Sequence, residues 1–163
     1  LQGRPRMPSP IRVKRLSDKA ISVGMGLRLL LIHASRFWWR IRGEARGVEA
    51  RDEPELGEAE LRDVVVCFTA VEEGDSGDLE HVLEEAVEEV STFAGRVGCR
   101  RLVLYPYAHL STELARPGEA LRDAGFEVLR SPFGYYKEFL LHCKGHPLSE
   151  ALRVVRPGPV GMP

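Results

Sequence analysis

No apolar run in these 163 residues approaches the roughly 18–20 that a membrane-crossing helix needs. The longest, Leu29–Ile32 with its neighbours, stops at His33 and suits a strand. Cysteine is scarce. Cys67, Cys99 and Cys143 are odd in number and lack paired spacing, which argues against a disulfide framework and for reduced thiols in a cytoplasmic protein. A net charge of one sign is missing too: 23 Lys and Arg face 24 Asp and Glu, so the total neither demands nor excludes a polyanion. Also absent are G-x-S-x-G, a phosphate-binding P-loop and G-x-G-x-x-G, and with them the readings those motifs carry. The basic residues of the first ten positions precede no apolar stretch, which is not the layout of a secretory signal.

What is present is the composition of one folded domain, 44% apolar and 29% charged, long enough to bury a core unaided by metals or disulfides. The charge is unevenly spread. Residues 1–46 hold 11 basic and 2 acidic side chains, residues 47–95 hold 2 and 16, and the remainder 10 and 6. A phosphate backbone would therefore be repelled by the middle third.

Residues 1–24 lack apolar periodicity and read as an extension, with a basic arm gripping RNA as the functional alternative. Ordered patterning begins behind Met25, a natural start on this reading. Leu27–His33 reads as a buried strand, and Phe37–Ile41 as an aromatic one joined to it in a hairpin. Gly43–Leu61, acidic and aperiodic, reads as an exposed loop before a strand at Asp63–Thr69. Gly74–Gly77 breaks the chain, and Asp78 suits an N-cap. From Leu79 to Val97 apolar residues recur every three or four positions among glutamates, which predicts an amphipathic helix ending at Gly98. Arg101–Tyr107 and Phe126–Arg130 read as strands around a short helix at Gly118–Ala124. Glu138–Cys143 reads as a sixth strand, Pro147–Val155 as a helical turn, and Arg156–Pro163 as a linker. The fold class is α/β, a mixed β-sheet with flanking helices.

Polar groups gather at strand ends, where open α/β sheets hold their sites. The segments are Phe68–Val71, Tyr105–Leu110, and Gly134–Lys137 with Cys143–Pro147. His109 follows a strand end and two tyrosines, and base, hydrogen-bonding and merely structural roles all stay open. Lys137 is either a surface charge or a cation flanked by aromatics that binds a carbonyl or phosphate oxygen. His142, Cys143 and His146 are zinc-ligand types, but alternation sends 142 and 143 to opposite faces and no fourth ligand is near, so no metal is expected. Cys143 as a nucleophile needs a His–acid pair that the spacing does not reveal.

Five segments in order carry a more specific signal: Leu-Leu-Ile-His-Ala, Phe-Thr-Ala-Val-Glu, Tyr-Pro-Tyr-Ala-His-Leu-Ser, Pro-Phe-Gly-Tyr-Tyr-Lys and Cys-Lys-Gly-His-Pro-Leu-Ser-Glu. Together they closely resemble the N-terminal editing domain of archaeal-type threonyl-tRNA synthetases, from about Met25 to Arg153. The resemblance implies an editing domain over 25–155 with a D-aminoacyl-tRNA deacylase-like fold, working as a homodimer. It implies hydrolysis of serine wrongly esterified to tRNA(Thr), with no cofactor and no membrane. The synthetase's aminoacylation domain is an expected partner, in cis or in trans. Lys137 would orient the ester or the attacking water, Glu150 would hold the substrate amine or a partner residue around the site, and Tyr136 and His109 would shape the pocket. Much of the chemistry would fall to the 2′-hydroxyl of the terminal ribose and a bound water. Ala70, Val71, Pro106 and Ala108 would supply pocket wall and backbone donors. Ser35 stands where family members commonly carry Asp, and the Trp38-Trp39 pair and Ile41–Leu61 diverge.

The physics of the task agrees with a second sieve. Serine lacks one methyl of threonine, and one methyl in a pocket discriminates by only about 1–3 kcal/mol. Two rival functions share these residues: a deacylase for D-amino acids, and a non-catalytic tRNA-docking or dimerising module. The strand Phe37–Ile41, too apolar to lie open, is the expected dimer contact.

Overall fold

The computed structural model describes residues 26–48, 51–54, 56–71, 79–107 and 115–156, with Val71, Leu79 and Ala115 described in backbone alone. The chain forms β1 (Leu27–Glu44), β2 (Glu58–Val71), α1 (Leu79–Val97), β3 (Arg101–Pro106), α2 (Ala115–Asp123), β4 (Glu127–Arg130), β5 (Tyr135–Cys143) and β6 (Glu150–Val155). One mixed sheet runs β4-β3-β2-β1-β5, with β6 also paired to β1. β1 is antiparallel to β2, β5 and β6, whereas β2, β3 and β4 are parallel. Parallel neighbours need crossover connections. α1 and α2 lie in those two crossovers.

Both helices pack on one face. Val82, Ala86, Val90, Phe93 and Ala94 of α1 and Leu121 of α2 join Leu27, Leu29, Leu31, Val65, Cys67, Leu102 and Leu104 in one core cluster. The α1 spacing expected from the sequence is therefore its packing stripe. The other face carries a second cluster of Ala34, Phe37, Trp39, Val64, Val66, Phe68, Val103 and Tyr105, over which no described helix packs. The expected α/β class with a mixed sheet and flanking helices is what the chain forms.

Three expectations about elements need correction. The two strands expected at Leu27–His33 and Phe37–Ile41 are one strand, because β2 pairs with both halves in a single register and so holds Ala34-Ser35-Arg36 extended. The irregularity there is a register shift against β5 between Ala34 and Arg36. The loop expected to reach Leu61 stops short, since β2 begins at Glu58. Glu58, Glu60 and Arg62 are exposed and alternate with half-buried Ala59 and Leu61, a period of two. Pro147–Val155 is not helical. Its last six residues pair along Leu27–Ile32, so an open edge of β1 overrides local preference. Gly74–Gly77, Asp78 and the extension 1–24 lie outside the described residues, as does the tail beyond Arg156.

Candidate functional site

β5 and β6 follow the same edge of β1 in one direction, interrupted by an excursion at residues 144–149. Cross-strand partners share a face. Lys137, Phe139, Leu141 and Cys143 stand opposite Ile41, Trp39, Phe37 and Ala34, and Glu150 and Leu152 opposite Ile32 and Leu30. Lys137 and Glu150 thus belong to one track on the face without helices. Tyr136 points the other way, is exposed, and accepts a hydrogen bond from the Arg46 backbone N–H at 3.5 Å.

The Lys137 ammonium is closely held. Nζ donates to Ser131 Oγ at 2.7 Å and to the Pro132 carbonyl at 2.8 Å, and lies 4.0 Å from the centre of the Tyr105 ring. Burial drives its pKa below the usual range, to about 8, and the Asp52 carboxylate opposes that shift only in part. The turn carrying its two acceptors is strapped from the β1–β2 connection. Asp52 Oδ2 accepts from Phe133 N–H at 3.0 Å, the Asp52 carbonyl accepts from Tyr135 Oη at 3.0 Å, and Arg51 Nε donates to the Gly134 carbonyl at 3.2 Å. Nearby, the fully buried Trp39 has an indole N–H with no acceptor among the described residues.

From Lys137 the face continues as stacked rings. Tyr105, Phe68, Phe139 and Tyr107 lie at centroid separations of 5.3–5.9 Å. They lead into an apolar groove of about 390 Å³ lined by residues including Leu30, Ile32, Ala70, Tyr107, Phe139 and Leu152. Ala70 is therefore a wall residue. Pro106 is buried, and the adjacent Tyr107 N–H donates to the Thr69 carbonyl at 2.7 Å. Val71 is described in backbone alone, paired with Leu27. Ala108 and His109 lie outside the described residues.

A second polar cluster stands at the β1 register shift, unforeseen in the sequence. Buried His33 contacts Asp63 Oδ1 through Nε2 and His146 Nε2 through Nδ1, both at 2.9 Å. Lys144 Nζ lies 2.8 Å from the same Asp63 oxygen. Lys144 and then His33 hold the Asp63 carboxyl below the usual carboxylate range. His33, Asp63 and Cys99 place donor atoms within 4.8 Å of one another, close enough for a metal ion. Yet the carboxylate already carries an ammonium, and burial pushes the Cys99 thiol up. The trio His142, Cys143 and His146 does not converge: His142 is exposed at the position alternating with Cys143, and His146 turns to His33. Cys143 Sγ lies 3.5 Å from Glu150 Oε1 and from Ser149 Oγ.

The arrangement offers a half-buried cation, an exposed carboxylate and an apolar groove on one face of the sheet. Lys137 and Glu150 were marked by motif resemblance; Tyr105, Ser131 and Asp52 were not. The signal for Tyr105 lay in the quoted Tyr-Pro-Tyr segment. His33 lies in the quoted Leu-Leu-Ile-His-Ala segment, but nothing there marked its partner Asp63, thirty residues on.

Residues 27–155 match the family described as the archaea-specific editing domain of threonyl-tRNA synthetase. The threonine–tRNA ligase of Methanopyrus kandleri is 45% identical over 141 residues, covering 80% of this chain and 22% of the relative. That of Methanoregula boonei is 43% identical over 83% of the chain and 23% of the relative, and that of Pyrobaculum arsenaticum 46% over 80% and 22%. The chain spans about a fifth of the length of these ligases. By its matched residues and its relatives, the chain belongs to the archaeal editing-domain family of threonyl-tRNA synthetase.

Proposed function

We propose that this domain hydrolyses the ester of L-seryl-tRNA(Thr) and spares L-threonyl-tRNA(Thr). The observation that carries the reading is the Lys137 ammonium, half-buried, hydrogen-bonded twice and seated over Tyr105. In ester hydrolysis a water oxygen bonds to the carbonyl carbon, negative charge grows on the carbonyl oxygen, and the ribose oxygen leaves with a proton. A preorganised cation in a dry site stabilises that charge far better than one in water. The Glu150 carboxyl, on the same face, suits a substrate α-ammonium, and the ribose 2′-hydroxyl with a water supplies the proton transfers. The groove wall at Ala70 is where a methyl would be refused. His109 and Ala108 belong to the proposed pocket through the motif resemblance alone.

The deacylase-like fold and the homodimer belong to the same proposal. The expected dimer contact needs correction, since Phe37 and Trp39 are fully buried within one chain. The proposed contact is instead the set of apolar residues left open on the face without helices, Leu30, Tyr107, Phe139, Leu152 and Val154, four of which also line the groove, so the dimer seam would adjoin the site. No described helix is long and apolar enough to cross a membrane. Cytoplasmic work on tRNA, beside an aminoacylation domain in cis or in trans, fits the ligase relatives.

The test is deacylation of Ser-tRNA(Thr) by purified chain. Lys137→Met should cut the rate about 100-fold or more while the fold persists. Cys143→Ala and EDTA should each leave it nearly intact. An active Lys137→Met beside loss with Cys143→Ala or EDTA would overturn the mechanism in favour of a thiol or a metal.

A further inference from the structure

Four contacts at the 144–149 excursion have one consistent assignment of protons. The Leu148 backbone N–H donates to His146 Nδ1 at 3.2 Å, so that nitrogen is the acceptor and the ring proton of neutral His146 sits on Nε2. Nε2 then donates to His33 Nδ1 at 2.9 Å, which leaves the His33 proton on Nε2, aimed at Asp63 Oδ1 at 2.9 Å. Asp63 is kept ionised by Lys144 and His33. Every donor meets an acceptor, and reversing any member would set two N–H groups against each other. Asp63 adopts φ +47°, in the left-handed region that Asp tolerates better than most non-glycine residues.

We propose that His33 is a positioning residue of the editing site: through this one-way chain it sets the excursion that places Glu150 opposite Ile32, on the face of the sheet that carries the groove. The proposal rests on the reading of Glu150 as a site residue. The main chain supports it, because His33 N–H donates to the Ser149 carbonyl at 2.7 Å and the Lys144 N–H donates to the His33 carbonyl at 2.9 Å. His33 therefore grips the excursion near both of its ends with its backbone and in the middle with its ring. Ser149, buried, also closes the turn through Oγ to the His146 carbonyl at 2.8 Å. Glu150 follows directly, on the ladder opposite Ile32. Among the described residues the charged and titratable neighbours of the chain are Asp63 on β2, Lys144 in the excursion, Cys99 before β3, and Cys143 and Glu150 flanking the excursion.

Two measurements test it on the intact chain. In the wild type, imidazole 15N shifts should report Nε2–H tautomers for both His33 and His146; an Nδ1–H tautomer in either would overturn the assignment. For function, deacylation of Ser-tRNA(Thr) is compared for His33→Gln, Glu150→Gln and the double variant. His33→Gln should lower kcat about 10-fold or more with KM little changed, and should add almost nothing in the Glu150→Gln background. Equal losses in both backgrounds would mean that His33 acts elsewhere and would overturn the proposal. A Glu150→Gln variant with wild-type rate would instead remove the site reading on which it stands, while the tautomer result still judges the chain of protons.

Discussion

Lys137 is costly to fold with its charge, and that cost is measurable. Its pKa is about 8 in the folded chain against 10.5 in the unfolded one, because burial disfavours the ammonium. Between those values the unfolded chain binds more protons, so stability rises as pH climbs from about 8 to 10.5; below 8 the penalty is constant. The unfolding free energy of the wild type, compared with Lys137→Met in denaturant titrations, should climb across that window by an amount on the order of 2–3 kcal/mol. Parallel curves for the two proteins would show that the ammonium is not desolvated. At this scale the sequence is only partly legible. A Lys between two tyrosines and an acid carries no sign of burial. Its acceptors, Ser131 and the Pro132 carbonyl, come from a turn five and six residues back, strapped by Asp52 from another connection.

Elements whose periodicity is their own were legible, and those made by a neighbour were not. α1 could be read because its packing stripe repeats in sequence. β6 could not, since nothing in Glu150–Val155 announces the free edge of Leu27–Ile32 that it fills. The continuity of β1 hid behind a register shift that looks like a connection. Two variants probe this scale. Phe37→Ala empties a fully buried position ringed by Phe68, Tyr105 and Phe139, and should cost about 3–5 kcal/mol in denaturant unfolding. Gly134 has φ +96°, and an added Cβ would lie 2.6 Å from Arg51 Cγ. Gly134→Ala should therefore destabilise by more than about 1 kcal/mol and slow deacylation, since the strained turn holds both acceptors of Lys137. A Gly134→Ala protein with unchanged midpoint and rate would detach that turn from the site.

At the scale of the whole molecule, the sheet separates opposite chemistries. α1, with its glutamates, covers one face, and Lys137, Glu150 and the groove occupy the other. RNA should approach the second, and crosslinks from the acceptor end centred on Glu84–Glu89 would contradict that. The open apolar patch on the same face predicts that Leu152→Asp, 63% exposed in one chain, yields a folded monomer in sedimentation where the wild type is a dimer. A monomeric wild type at micromolar concentration would refute the dimer. The most direct measurement of the central claim is the release of amino acid from Ser-tRNA(Thr), Thr-tRNA(Thr) and a D-aminoacyl-tRNA, side by side, by the purified chain. The account predicts rapid release of serine with threonine retained and the D-amino acid released slowly or not at all; release of the D-amino acid alone, or of nothing, would contradict it.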